Sequence, residues 1–212
     1  MDHLAPVLDF GRNGGRYYLV EAFTDASPLD VSAHGPLPPA DALHVVRQLA
    51  DALAHAHDRG VVHGAIAPAW VSVAPGTVPR ALLSGFVLGS APRAPELSTA
   101  IDARTDIQAL GLLLYEMLEG RPFVAGTADE SGNGSTQVLP TYSRIVPSGV
   151  SALVARAIRH APAQRQQSMT QLRHEIDTCL GRIVEKSLGE SRPLAAVTPG
   201  AARAHPPAPP AG

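Results

Sequence analysis

The segment Ile107-Gln-Ala-Leu-Gly-Leu-Leu-Leu-Tyr-Glu-Met117 constrains the fold more than any other part of the chain. Ile107, Leu110, Leu113, Leu114 and Met117 recur at helical spacing, and the residues between them are also mostly apolar. The pattern predicts a helix over about 105–118 that is hydrophobic almost all round. Such a helix has no face to offer water, so other elements must enclose it. Its longest apolar run, from Ala109 to Tyr115, falls far short of the roughly 20 residues that a membrane span needs. The chain is therefore expected to be a globular domain with one central helix.

The enclosing elements are legible on either side. Pro39 suits the first turn of a helix that runs to about Asp58, in which Leu43, Val46, Leu49, Ala50, Leu53 and His57 share one face. Gly60 ends it and Gly120 ends the central helix. Further helices are expected at 150–160 and 168–182, the second opened by the capping box Ser168-Met-Thr-Gln171. Residues 5–10 and 16–23 read as two strands joined at Asn13-Gly14-Gly15, a strong hairpin signal. Residues 61–90 alternate apolar runs with turns and read as small hairpins, and 125–140 as a polar, Gly-rich loop. The expected organisation is 1–36, 37–186 and a Pro/Ala-rich tail at 187–212, which lacks apolar periodicity.

Composition excludes several functions. A net charge of −2 over 212 residues gives no electrostatic case for nucleic acid or for an anionic membrane. Cys179 is the single cysteine, so no internal disulfide forms, and a cytoplasmic location is expected. Without a His at motif spacing, Cys179 is read as a core residue and not a nucleophile. His55 and His57 do not share a helix face, so no metal site is expected there. Lys186 is the only lysine, at the end of the expected folded region.

One motif carries more information about function. His63-Gly-Ala-Ile-Ala-Pro-Ala-Trp70 is similar to His-Arg-Asp-Leu/Ile-Lys-Pro-x-Asn, the catalytic loop of protein kinases. Gly85-Phe86-Val87 resembles Asp-Phe-Gly, Arg93-Ala-Pro-Glu96 resembles the Ala-Pro-Glu signature, and Asp102 to Phe123 is a long match to the central helix and its exit. Ala157 to Arg165 resembles the late helix pair that carries a structural Arg. Taken in order over about 4–182, these segments resemble the bacterial serine/threonine protein kinase family. The resemblance implies an α+β, predominantly α fold: a kinase-like C-terminal lobe with a short remnant β-hairpin of the small lobe.

It also implies roles. Leu8, His63 and Phe86 match three stacked spine residues. Glu96 and Arg165 are expected to form an ion pair, and Asp106 to accept hydrogen bonds from the backbone around His63. The catalytic positions are degenerate: Ala65 stands for the Asp base, Ala67 for the Lys, and Trp70 and Gly85 for the Asn and Asp that hold magnesium. Ser72 stands where the family puts an apolar residue under adenine. The chain begins at what resembles the fourth strand of the small lobe, so the Gly-rich loop, the strand Lys and its partner helix have no counterpart. Between Val87 and Arg93 the activation segment is short, with Ser90 as its hydroxyl.

The expectation is thus a catalytically inactive, pseudokinase-like module without a cofactor. It would bind a protein partner, or itself, through the surface that the small lobe would cover. The alternative is an ATP- and magnesium-dependent serine/threonine kinase that uses noncanonical residues or is completed in trans by another chain.

Overall fold

The computed structural model describes residues 3–22, 24–74, 76–86, 102–124 and 140–190. The loop expected at 125–140 (its last residue apart), the Ala-Pro-Glu-like segment with Glu96, Ser90, and the tail from 191 onward lie outside them.

The central helix forms as its composition demands. Helix α3 (Ala103–Glu119) begins at Asp102, whose carboxylate accepts from the backbone N–H of Arg104, and ends at Gly120 in the left-handed conformation. Ile107, Leu110, Leu114 and Met117 are 0% exposed. Helix α2 (Pro39–His57) lays Leu43, Leu49 and Leu53, all fully buried, against it. Each such leucine contributes roughly 1.5–3 kcal/mol by leaving water. Helices α4 (Ser148–Ala157) and α5 (Met169–Glu190) close the remaining sides, so α3 touches all three neighbours.

Two of these helices differ in length from the sequence expectation. Helix α4 stops at Ala157, short of 160, because Ile158 leaves helical geometry before the single 3-10 turn Pro162–Gln164. Helix α5 runs to Glu190, beyond 182, tolerating Gly181 and Gly189, and the first proline after its start is Pro193. At its start the Ser168 hydroxyl accepts from the Gln171 N–H at 3.1 Å. The reciprocal half of the box is displaced by one residue: the Gln171 side chain accepts from the Gln167 N–H at 2.8 Å.

Strands β1 (Val7–Asn13) and β2 (Arg16–Glu21) pair antiparallel across the expected turn. A second sheet has the order β3-β4-β5, with β3 (Ser27–Pro28), β4 (Val71–Ala74) and β5 (Arg80–Leu83). Val71, Ala81 and Leu83 turn towards the helical core. Strand β3 and the short helix α1 (Val31–His34) were not foreseen. Asp30 caps α1 by accepting from the N–H groups of Ser32 and Ala33 at 3.0 and 2.9 Å. The chain before β1 is tied to β5 by Leu83 N–H to His3 carbonyl and Ala5 N–H to Leu83 carbonyl, both 2.9 Å.

Among the described residues, no helix is long and apolar enough to cross a membrane.

Candidate functional site: a kinase-like loop without its charged groups

The loop 61–70 connects α2 to β4 and is held from below by α3. Asp106 is 0% exposed. Its Oδ2 accepts from the His63 N–H at 2.9 Å, and its Oδ1 accepts from the Gly64 N–H at 2.7 Å. A third donor was not foreseen: His57 Nε2 lies 2.8 Å from Asp106 Oδ2 and, facing a carboxylate, must carry the proton. No local pattern signals this contact, because the two residues are 49 positions apart. Three donors satisfy a carboxylate that would otherwise be costly to bury.

His63 is fully buried as well. Its Nε2 lies 2.9 Å from the Ser84 carbonyl, which can only accept, so Nε2 carries the proton. Nδ1 is then free to accept from the Ala65 N–H at 3.3 Å. The ring meets Phe86 edge-on, with centroids 4.7 Å apart. His63 and Phe86 are therefore brought together as expected. Leu8 is not: it is 67% exposed. It sits at an irregularity of the β1–β2 ladder, where Val7 pairs with Glu21 and Asp9 with Val20, leaving Leu8 without an opposite residue.

Arg165 is 6% exposed and spends its guanidinium on backbone carbonyls. Nε donates to Arg159 at 2.7 Å, and the two terminal nitrogens donate to Arg104 at 2.9 Å and His160 at 3.0 Å. Burial pushes its pKa down from the usual guanidinium value, offset in part by the Asp102 charge. Its expected partner Glu96 lies outside the described residues.

The positions that resemble the chemical groups present hydrocarbon. Ala65 offers a methyl, and Ala67 lies in extended backbone just before the 3-10 turn Pro68–Trp70. Trp70 packs on the core edge, and its carbonyl accepts from the N–H and the hydroxyl of Ser84 at 2.9 and 3.2 Å. Gly85 follows directly. A Cβ added to Gly85 would stand 2.7 Å from Cδ2 and Cε3 of the Trp70 indole. A carboxylate that sequence reasoning passed over, Glu21 at the end of β2, accepts from the Gly85 N–H at 3.4 Å.

Neither position 70 nor position 85 offers an oxygen-bearing side chain, and the space between them holds an indole. These residues do not fit a magnesium ion. Among the described residues, no three His, Cys, Asp or Glu side chains converge as a metal group would. Ser72 lies in β4 opposite Leu82. An open cleft of about 410 Å³ lies between residues 4–6, residues 24–26 and the β4–β5 hairpin, and none of the motif residues lines it.

No protein-family model matches the chain. It is 28% identical over 204 residues to the serine/threonine-protein kinase PrkC of Bacillus subtilis, covering 84% of this chain and 32% of that protein. To the serine/threonine-protein kinase PknI of Mycobacterium tuberculosis it is 32% identical over 177 residues, covering 77% of this chain and 29% of that protein. To the serine/threonine-protein kinase pkn2 of Myxococcus xanthus it is 29% identical over 199 residues, with 78% and 24% covered. The chain thus spans about a quarter to a third of the length of the curated relatives it matches. The crystal structure of the PknI kinase domain superposes with a TM-score of 0.63 at 29% identity, covering 84% of this chain and 71% of that one. The chain is a homologue of the bacterial serine/threonine protein kinases and carries their kinase-domain fold.

Proposed function

We propose that this chain is a catalytically inactive, kinase-like module that acts by binding protein. One observation carries the reading: where its relatives would place a base and two metal ligands, this chain has Ala65, Trp70 and Gly85, and the indole of Trp70 rests on Gly85. Phosphoryl transfer depends on positioning and on charge neutralisation by metal and polar groups. A positioned base alone commonly supplies about 10²–10⁴ in rate. The framework that positions the loop is intact around Asp106 and His63, which supports a role that needs the shape and not the chemistry.

The binding half of the proposal rests on the β1–β2 hairpin. Phe10 and Tyr17 are 75% and 78% exposed, and Val7, Leu8 and Val20 are also exposed. Phe10 pairs with Leu19 and Arg12 with Tyr17, which puts these four side chains on one sheet face, while Val20, next to Leu19 in β2, points to the other. Contiguous apolar surface of this kind marks interaction sites. The proposed occupant is another polypeptide, either a protein partner or a second copy of the chain.

Incubation with γ-labelled ATP, magnesium or manganese, and a generic protein acceptor tests the reading. The expected result is no transfer above a heat-killed control and no thermal shift with magnesium-ATP. Transfer that a point substitution in this chain abolishes would instead establish a kinase, working alone or completed in trans.

A further inference from the structure

The two positions that fail to fit a cation fail together. Gly85 has a φ of +84°, in the left-handed region, and a Cβ there would lie 2.7 Å from Cδ2 and Cε3 and 3.3 Å from Cγ of Trp70. These are ring atoms close to the root of the side chain, not the end of a flexible one. The backbone that carries the ring is pinned, and the ring itself is partly buried against the core. The Trp70 N–H donates to the Ala67 carbonyl at 2.9 Å, its carbonyl is held by Ser84, and the indole packs against the core. The Gly85 N–H also donates to Glu21 Oε1 at 3.4 Å.

We infer that Trp70 is an internal plug. Its indole fills the volume that any side chain at position 85 requires, so the loss of both oxygen ligands is one interlocked exchange and not two independent losses. As long as Trp70 is present, any side chain at position 85 must displace the indole, so a carboxylate regained there first carries a packing cost. The inference stands on ring geometry and holds whether or not the chain transfers phosphate. Asp tolerates the left-handed region better than most residues, so in Gly85→Asp the main obstacle is the indole and not the backbone.

Trp70 is the only tryptophan in the chain, so its emission reports on the plug directly. In the otherwise natural chain, Gly85→Asp is expected to red-shift that emission, increase its quenching by acrylamide, and lower Tm by about 5 °C, the size of a typical overpacking penalty in a domain of this length. In a Trp70→Asn background, the same Gly85→Asp change is expected to cost less than half of that Tm loss. Trp70→Ala serves as the background if the Asn variant does not fold. Equal Tm losses with and without the indole would overturn the inference. So would a Gly85→Asp chain whose tryptophan emission and quenching match the natural protein.

Discussion

The carboxylate of Asp106 in α3 holds the backbone of His63 from beneath, Oδ2 accepting its N–H at 2.9 Å, while His57 approaches the same oxygen at 2.8 Å. This links the central helix, the helix before the loop and the loop itself through one buried group. Asp106→Ala leaves three donors without their acceptor. The expected cost is about 3–5 kcal/mol, the range for stripping one partner from a buried charged cluster. His57→Ala removes one donor of the three and is expected to cost less. Urea denaturation of both variants checks the order; an Asp106→Ala chain as stable as the natural one contradicts this account.

Arg165 serves as a three-pronged clamp on carbonyls of Arg104, Arg159 and His160. A lysine keeps the charge but not the planar fork that reaches three directions. Arg165→Lys is therefore expected to lose most of what Arg165→Ala loses, on the order of 2–4 kcal/mol. If charge alone mattered, Arg165→Lys would match the natural protein in chemical denaturation.

Two carboxyl groups on or beside α3 should respond to pH in opposite senses. The Arg104 side-chain hydrogen bond, against some opposing desolvation, holds Asp102 below the usual carboxylate range. A depressed folded value means that its stabilisation is present above the unfolded pKa of about 3.9 and is lost as pH falls through the folded value. Asp102→Ala should cost about 1 kcal/mol at pH 7, as an N-cap loss does, and that gap should narrow in acid. Burial pushes Glu116 up, with partial relief from the Phe123 N–H. Its contribution is present below the unfolded pKa of about 4.3 and is lost as pH rises through the folded value. Glu116→Gln should therefore be more stable than the natural chain at pH 7 and indistinguishable below about pH 4. Denaturation midpoints measured from pH 3 to 7 test both signs.

The parts of this fold that local pattern dictates were legible. An all-round apolar helix must be central, and Leu43, Leu49 and Leu53 mark the face of α2 that covers it. Asn13-Gly14-Gly15 marks the hairpin, and the family resemblance implies that Asp106 holds the backbone around His63. What escaped depends on tertiary approach. His57 and Asp106 meet only because α2 and α3 pack, and nothing in either neighbourhood announces the pair. The indole of Trp70 on Gly85 has the same origin: the sequence displays two separate substitutions, and only the fold shows that one occupies the space of the other. Leu8 misled for a converse reason. Strand periodicity and motif spacing carry no sign of the ladder irregularity that leaves it exposed.

The exposed hairpin gives the last prediction, because exposure separates stability from binding. Phe10 and Tyr17 contribute little to the core, being 75% and 78% exposed. Substituting both by serine should change global stability by no more than about 0.5 kcal/mol, as surface changes usually do. The same change removes the two largest rings from the face that also carries Leu19 and Arg12, whose guanidinium sits 5.5 Å over the Tyr17 ring. If that face is the docking surface, the double variant should bind less of an apolar dye and lose concentration-dependent association in sedimentation velocity, while its melting curve stays in place. A natural chain that sediments as a monomer at all concentrations and binds no more dye than the variant would remove the hairpin from the proposal. A variant that unfolds would show that these rings stabilise the domain after all, and exposure alone would then be a poor guide to their role.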